Sequence, residues 1–237
     1  MSFTSNDTLK KLEKILPEHI NNQSVPKDVL VIIDYYIPKL NDKNIHQVVK
    51  DYLADDKYLK QQVINEYGKI NNWDVSQVTN MEELFSLQCY FNEDISIWNV
   101  SNVTDMSDMF DGAHEFNQPL NDWDVSSVTN MSCVFLSAKK FNQPLNDWNV
   151  SNVTNMDAMF YGAESFNQPL DNWNVSSVTD MSDMFDGAYE FNQPLNNWNV
   201  SSVTDMSYMF SCASKFNQPL NNWNVSNANN MGWMFHN

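Results

Sequence analysis

Asp105, Asp108 and Asp111 stand at steps of three in TDMSDMFDGA, and Asp180, Asp183 and Asp186 repeat that string 75 residues on. On a helical turn this spacing gathers carboxylates on one side, where they could hold a cation or the basic side chains of a partner. Calcium asks for about six to eight oxygens and is commonly met by a D-x-D-x-D-G loop, which is absent. The triads therefore read as an acidic face for a protein partner of basic character, with Asp105 and Asp180 near helix N-termini, where the dipole favours them.

Other chemistry finds little support. The four histidines (19, 46, 114, 236) are scattered, the three cysteines (89, 133, 212) form no C-x-x-C, and zinc is not expected. No Ser/His/Asp or Cys/His arrangement recurs, so the chain reads as non-enzymatic, without metal or cofactor. The five glycines are too far apart for a G-x-G-x-x-G or a Walker loop. Thirteen basic residues, all lysine, face 30 acidic ones, for a net charge of −17. That balance excludes nucleic acid as a partner and disfavours an anionic membrane surface. No apolar stretch approaches membrane-spanning length, so no membrane insertion is expected. MSFTSNDTLKKLEKIL lacks the apolar core of a signal peptide. With the odd cysteine count, this suggests a reduced, cytoplasmic chain.

The elements that must position the acidic residues come from a repeat. Trp73, Trp98, Trp123, Trp148, Trp173, Trp198 and Trp223 keep a strict 25-residue step, as do rows of Met (81 to 231) and Phe (85 to 235). Seven units, the last truncated, fill residues 71–237, and a period without insertions implies one coil of a stacked solenoid per unit. Trp148 and Val150, two apart, share one face of a short strand. Met156, Met159, Phe160 and Ala163 suit a short helical turn capped by Thr154 or Asn155. In the first unit Asn80 and Glu83 have capping-box spacing. Pro169 in FNQPL marks the return loop. The expected fold is thus an α/β repeat solenoid, with parallel strands about 4.8 Å apart.

The tryptophan row could bind sugars if exposed. It runs in phase with Val, Met and Phe, which makes it a structural ladder of the core. The row Asn117, Asn142, Asn167, Asn192 and Asn217 reads as side chains bonding turn backbone and one another along the stack. Ser101 and Thr104, with their counterparts, match an ice-binding hydroxyl array only loosely, because S-x-x-T does not place both on one strand face; turn bonding explains them better. The N-V-S and N-V-T sequons are by-products of the repeat.

Residues 1–70 form a separate N-terminal cap domain by composition, with 10 Lys balancing 10 acids. The repeats hold 3 Lys against 20 acids and carry the whole net charge. Helical spacing marks Thr8–Leu16, a helix from Pro26 to Ile37, Ile45–Leu53, and Lys57–Tyr67 with Gly68 as C-cap. Together these could cover the open edge of the first coil, as solenoids require. The last unit loses its Thr in Asn227-Ala228-Asn229-Asn230. Either those residues blunt the end, or the C-terminal repeat makes an end-to-end dimer.

The unit W-x-V-S-x-V-T-x-M-x-x-M-F-x-x-A-x-x-F-N-Q-P-L, as in Trp148–Leu170, resembles the 25-residue form of the BspA-type leucine-rich-repeat family. That form is known from Mycoplasma-type surface lipoproteins and also occurs in protists and giant viruses. The resemblance covers residues 71–237, and L-x-x-W-x-V at Leu145 to Val150 looks like the strand of a leucine-rich repeat. It implies adhesion or protein binding, and carries over no catalytic residue. A surface adhesin or virion-associated role is one alternative it suggests. Val25-Pro26-Lys27-Asp28-Val29-Leu30 through Pro38 is similar to the start of an F-box, which implies a substrate adaptor of a ubiquitin ligase as another.

Overall fold

A computed structural model describes residues 38–236. The expected helices Thr8–Leu16 and Pro26–Ile37, and the F-box-like stretch, lie outside the described residues save for Pro38. The repeats belong to a compact unit, Lys39–Asn237. The compositional boundary at 70/71 falls inside that unit, because residues 39–70 pack onto the first coil.

Two helices open the unit. Helix α1, Ile45–Leu53, buries Ile45, Val48, Val49 and Tyr52. Helix α2, Lys57–Tyr67, is capped by the Asp56 carboxylate, which accepts from the Tyr58 N–H, and ends at left-handed Gly68. A 3₁₀ turn, Ile70–Asn72, leads into Trp73. From there each 25-residue coil lies on the one before. Parallel bridges join Asn80 to Asp105, Asp105 to Asn130, and so on to Asn230.

The internal structure of a coil differs from expectation. The Trp-x-Val segment buries both side chains, but the coils pair further along, at the Asn or Asp after Thr. The Met-x-x-Met-Phe segment is a run of turns, with no helix. Leu84 N–H donates to Met81 O and Ser86 N–H to Glu83 O, while Met81, Glu83, Phe85 and Leu87 N–H donate to Asp105, Ser107, Met109 and Asp111 O of the next coil. Consecutive three-residue turns bury the same i, i+3 positions as a helix, so side-chain spacing does not separate the two. The choice falls to backbone hand: φ lies between 51° and 67° at Glu83 and Leu87 and at their counterparts in the following coils, from Asp108 to Trp233 and from Gly112 to Cys212. Left-handed residues turn alternate N–H groups outward, toward the following coil. At a non-glycine residue that conformation costs about 1–2 kcal/mol, which the cross-coil hydrogen bonds offset. The capping box also dissolves: Asn80 Oδ1 accepts from the Glu82 N–H, and Glu83 is itself left-handed.

Aromatic rows fill the stack. Phe110, Phe135, Phe160 and Phe185 step at 5.6 Å with nearly parallel rings. Phe141 packs 4.0 Å from Phe135 within its coil. The Trp ladder is buried from Trp73 to Trp198 and half-buried at Trp223. Each indole N–H is tied down, as when Trp148 Nε1 donates to Leu120 O at 2.8 Å. The Asn ladder bonds along the stack, with Asn117 Oδ1 accepting from Asn142 N–H and Gln143 Nε2.

The first coil lacks a predecessor, and Asp42 supplies what one would. In later coils the carbonyl of the preceding Thr accepts from the N–H of the next Thr, as Thr79 O does from Thr104. For Thr79 the Asp42 carboxylate accepts from its N–H, its Oγ1 and the Asn80 N–H. Although burial opposes it, these bonds from Thr79 and Asn80 hold the Asp42 carboxyl below its ordinary value. Tyr52 meets Trp73 edge-on at 5.2 Å, where a preceding Trp would stack.

Three substitutions test this account by urea unfolding. Phe135→Ala empties a site enclosed by four rings, those of Phe110, Phe141, Trp148 and Phe160, and should cost about 3–5 kcal/mol. The same change at Phe235, 58% exposed, should cost under about 1 kcal/mol. Asp42→Ala strands two backbone donors and should cost about 1 kcal/mol or more.

Candidate interaction face

The turn ribbon also decides which side chains face out. Met156, Met159, Phe160 and Ala163 point into the stack, while Asp157, Tyr161 and Glu164 remain exposed or half-exposed, as do most of their counterparts in other coils; Ser107, Ser207 and Ser211 are the buried exceptions. The structure divides the predicted acidic residues into two kinds. Asp105 and Asp180 sit at the coil-pairing corners, where no helix begins. Asp105 Oδ1 accepts from the N–H and hydroxyl of Ser107, and Asp180 Oδ1 does the same for Ser182. They are turn residues, half-buried and already engaged.

Asp108, Asp111, Asp183 and Asp186 lie on the outward side of the ribbon. Partial burial pushes the Asp108 carboxyl above its ordinary value, with Asp111 and Glu83 adding repulsion and the Cys133 side chain opposing through a hydrogen bond. Burial likewise raises Asp111, with Glu83 nearby and Ser86 and His114 moderating. Asp183 is raised furthest, to about 6, by burial and then by Asp157, Asp186, Asp205 and Asp180. Asp186 is raised by burial against a hydrogen bond from Ser211. Burial and the surrounding aspartates push the Cys133 thiol up to about 12, so it carries no thiolate at neutral pH. The two triads are three coils apart and form separate patches. Coils three and four lie between them, the first with Leu136, Lys139 and Lys140 and the second with Asp157 and Tyr161.

All three lysines of the repeats pair with glutamates one coil away: Lys139 with Glu164, Lys140 with Glu115, and Lys215 with Glu190. None pairs with the aspartates. Among the described residues, no group of three or more His, Cys, Asp or Glu side chains is arranged to hold a metal ion.

The spacing argument misses the aromatic residues on this face. Tyr161, Tyr189, Tyr208 and Trp233 are exposed there, as are Leu87 and Tyr90 in the first coil. The available signal was variation between units. From coil two onward, the position of Asp108 reads Asp, Cys, Ala, Asp, Tyr, Trp, and that of Asp111 reads Asp, Leu, Tyr, Asp, Ser, His. On the opposite side, the position of Asn149 holds only Asn or Asp from coil one to coil seven, and that of Asn152 only Asn or Ser from coil two onward. The second alternation leaves the bonding unchanged, since Asn152 Nδ2 and Ser127 Oγ both donate to a carbonyl of the preceding coil. One side keeps its chemistry and the other changes it.

The last coil bears on the expected end-to-end dimer. Among the described residues the N–H groups of Met231, Trp233 and Phe235 have no partner, whereas their equivalents in earlier coils donate onward. Along this segment a twofold contact between two such edges sets donor against donor, while the Asn229 carbonyl, whose equivalents in earlier coils accept from the next coil, is an acceptor on the same edge.

The chain matches the family described as "Mycoplasma protein of unknown function, DUF285" over residues 56–171 and again over 144–237. It belongs to that family of repeat proteins. No curated protein and no solved structure matches it. No helix among the described residues is long and apolar enough to cross a membrane.

The raised carboxyls give stability a signed pH dependence. Asp183 titrates near 6 in the folded chain against an ordinary 3.8, so its charge destabilises the fold above about 6, and the penalty fades as pH falls toward 3.8. Asp108, Asp111, Asp157 and Asp186 act in the same direction. Asp42, Asp74 and Asp205 are lowered, and their stabilisation is lost only in more acid solution. The thermal midpoint should therefore be higher at pH 5 than at pH 7. Asp183→Asn should raise it at pH 7 and shrink the difference; an unchanged difference would show that Asp183 is not the group responsible.

Proposed function

We propose that the chain is a non-enzymatic protein-interaction module: a leucine-rich-repeat-like solenoid of the BspA type whose variable acidic face takes a basic partner. The observation that supports this reading is the concentration of chemical variation at the outward positions of the turn ribbon, while the Thr, Asn-Gln and Trp positions repeat the same bonds from coil to coil. A repeated scaffold can change those outward positions without disturbing the stack, and its rigidity lowers the ordering cost of binding. The uncompensated carboxylates favour fast, salt-sensitive association with a cationic surface.

Capture of partners from source-cell extract by the full chain tests it. The pair Asp108→Lys and Asp183→Lys should abolish capture, while Asn149→Lys with Asn174→Lys on the uniform side should leave it intact. Capture should also weaken as salt rises from 50 to 500 mM (roughly a tenfold range, spanning the Debye lengths that matter). Equal effects of the two pairs, or indifference to salt, would contradict the reading.

A further inference from the structure

The exposed aromatic residues are not spread evenly along the variable face. In coils four to seven, Tyr161, Tyr189, Tyr208 and Trp233 are between 38% and 60% exposed. The rings of Tyr208 and Trp233 run parallel, 6.5 Å apart. The Tyr161 phenol lies in the field of Asp186 and Asp183, with Tyr189 and Cys212 also close. Asp183 in turn faces Asp157, Asp186, Asp205 and Asp180. These aromatic rings and carboxylates therefore occupy one surface. Lys215, the lysine of these coils, is engaged with Glu190.

We propose that this C-terminal half of the variable face is a docking surface for an extended, arginine-rich peptide segment, with guanidinium groups laid on Tyr161, Tyr189, Tyr208 and Trp233 and hydrogen-bonded to Asp157, Asp183 and Asp186. The proposal rests on the reading of this face as an interaction surface and specifies its occupant.

The choice of arginine follows from the combination of groups. A guanidinium stacks on an aromatic face and at the same time presents a planar fork to a carboxylate; an ammonium makes a point contact and holds its water more tightly. An apolar helix would have to desolvate the carboxylates between the rings without pairing them, which is costly. An anionic partner meets the same charges with the wrong sign. The extended form follows from the scaffold. The rings of successive coils step at 5.6 Å from Phe160 to Phe185, Phe210 and Phe235, so the surface over these coils suits about five residues of extended chain at roughly 3.3 Å each.

The test is fluorescence anisotropy on the full chain with three labelled nine-residue peptides: alternating Arg and Ser, the same with Lys, and the same with uncharged citrulline. The arginine peptide should bind best, the lysine peptide several-fold more weakly, and the citrulline peptide not at all. Tyr161→Ala and Trp233→Ala should each weaken the arginine peptide roughly two- to fivefold and change the lysine peptide less. Asp183→Asn should weaken both cationic peptides, whereas Asp108→Asn and Tyr90→Ala, in the other half of the face, should change neither. Thermal midpoints of the variants serve to show that they fold. Equal binding of the arginine and lysine peptides, unaffected by either aromatic substitution, would overturn the proposal in favour of general polyanion behaviour. So would equal losses from Asp108→Asn and Asp183→Asn. Absence of peptide binding while capture still depends on the variable face would refute the occupant and leave the interaction reading standing; loss of both would refute both.

Discussion

One ribbon sets the relation between coils. In Met-x-x-Met-Phe a left-handed residue follows each turn, and alternate N–H groups thereby leave their own coil and donate to the next. The 25-residue step cannot slip without breaking these bonds together, and the aromatic rows then align as a consequence. Phe over Phe at 5.6 Å and indole N–H to a carbonyl 28 residues earlier both presuppose the register that the ribbon fixes. The cost is a set of non-glycine residues held at positive φ. A helix would have avoided that cost, but would have used its own carbonyls and left the next coil unbound.

The same ribbon gives each coil two unlike edges. Along the ribbon, carbonyls face the preceding coil and N–H groups face the following one; at Thr the sense reverses, as when Thr104 N–H donates back to Thr79 O. At the start both senses are met: the Asp42 carboxylate takes the donors of Thr79 and Asn80, and the His46 imidazole reaches Glu82 O. At the other edge, Met231, Trp233 and Phe235 present donors.

Much of this was legible in the sequence. The strict rows of Trp, Phe and Met gave the period and the buried set, and helices α1 and α2 stand where their apolar spacing placed them. The Asn ladder followed from its inward position. The ribbon was hidden because i, i+3 burial belongs equally to a helix and to consecutive turns, and no residue type announces positive φ when Asp, Cys, Ala and Tyr all adopt it at one position. Asp105 and Asp180 were grouped with the outward carboxylates for the same reason: steps of three share a side on a helix, but here the first of each triad closes a corner. The aromatic residues of the face do not appear in the pattern that the units share. Their differences were equally visible, and it is the differences that mark the outward side.

The central claim is that scaffold and recognition are separable, with the inward rows holding the fold and the outward ribbon positions choosing the partner. The most direct measurement is partner capture by a chain carrying serine at Asp157, Tyr161, Asp183, Asp186, Tyr189 and Tyr208, with every ladder residue kept. The account predicts that this variant unfolds as cooperatively as the parent and captures nothing. Retained capture, or a chain that no longer folds, would contradict it.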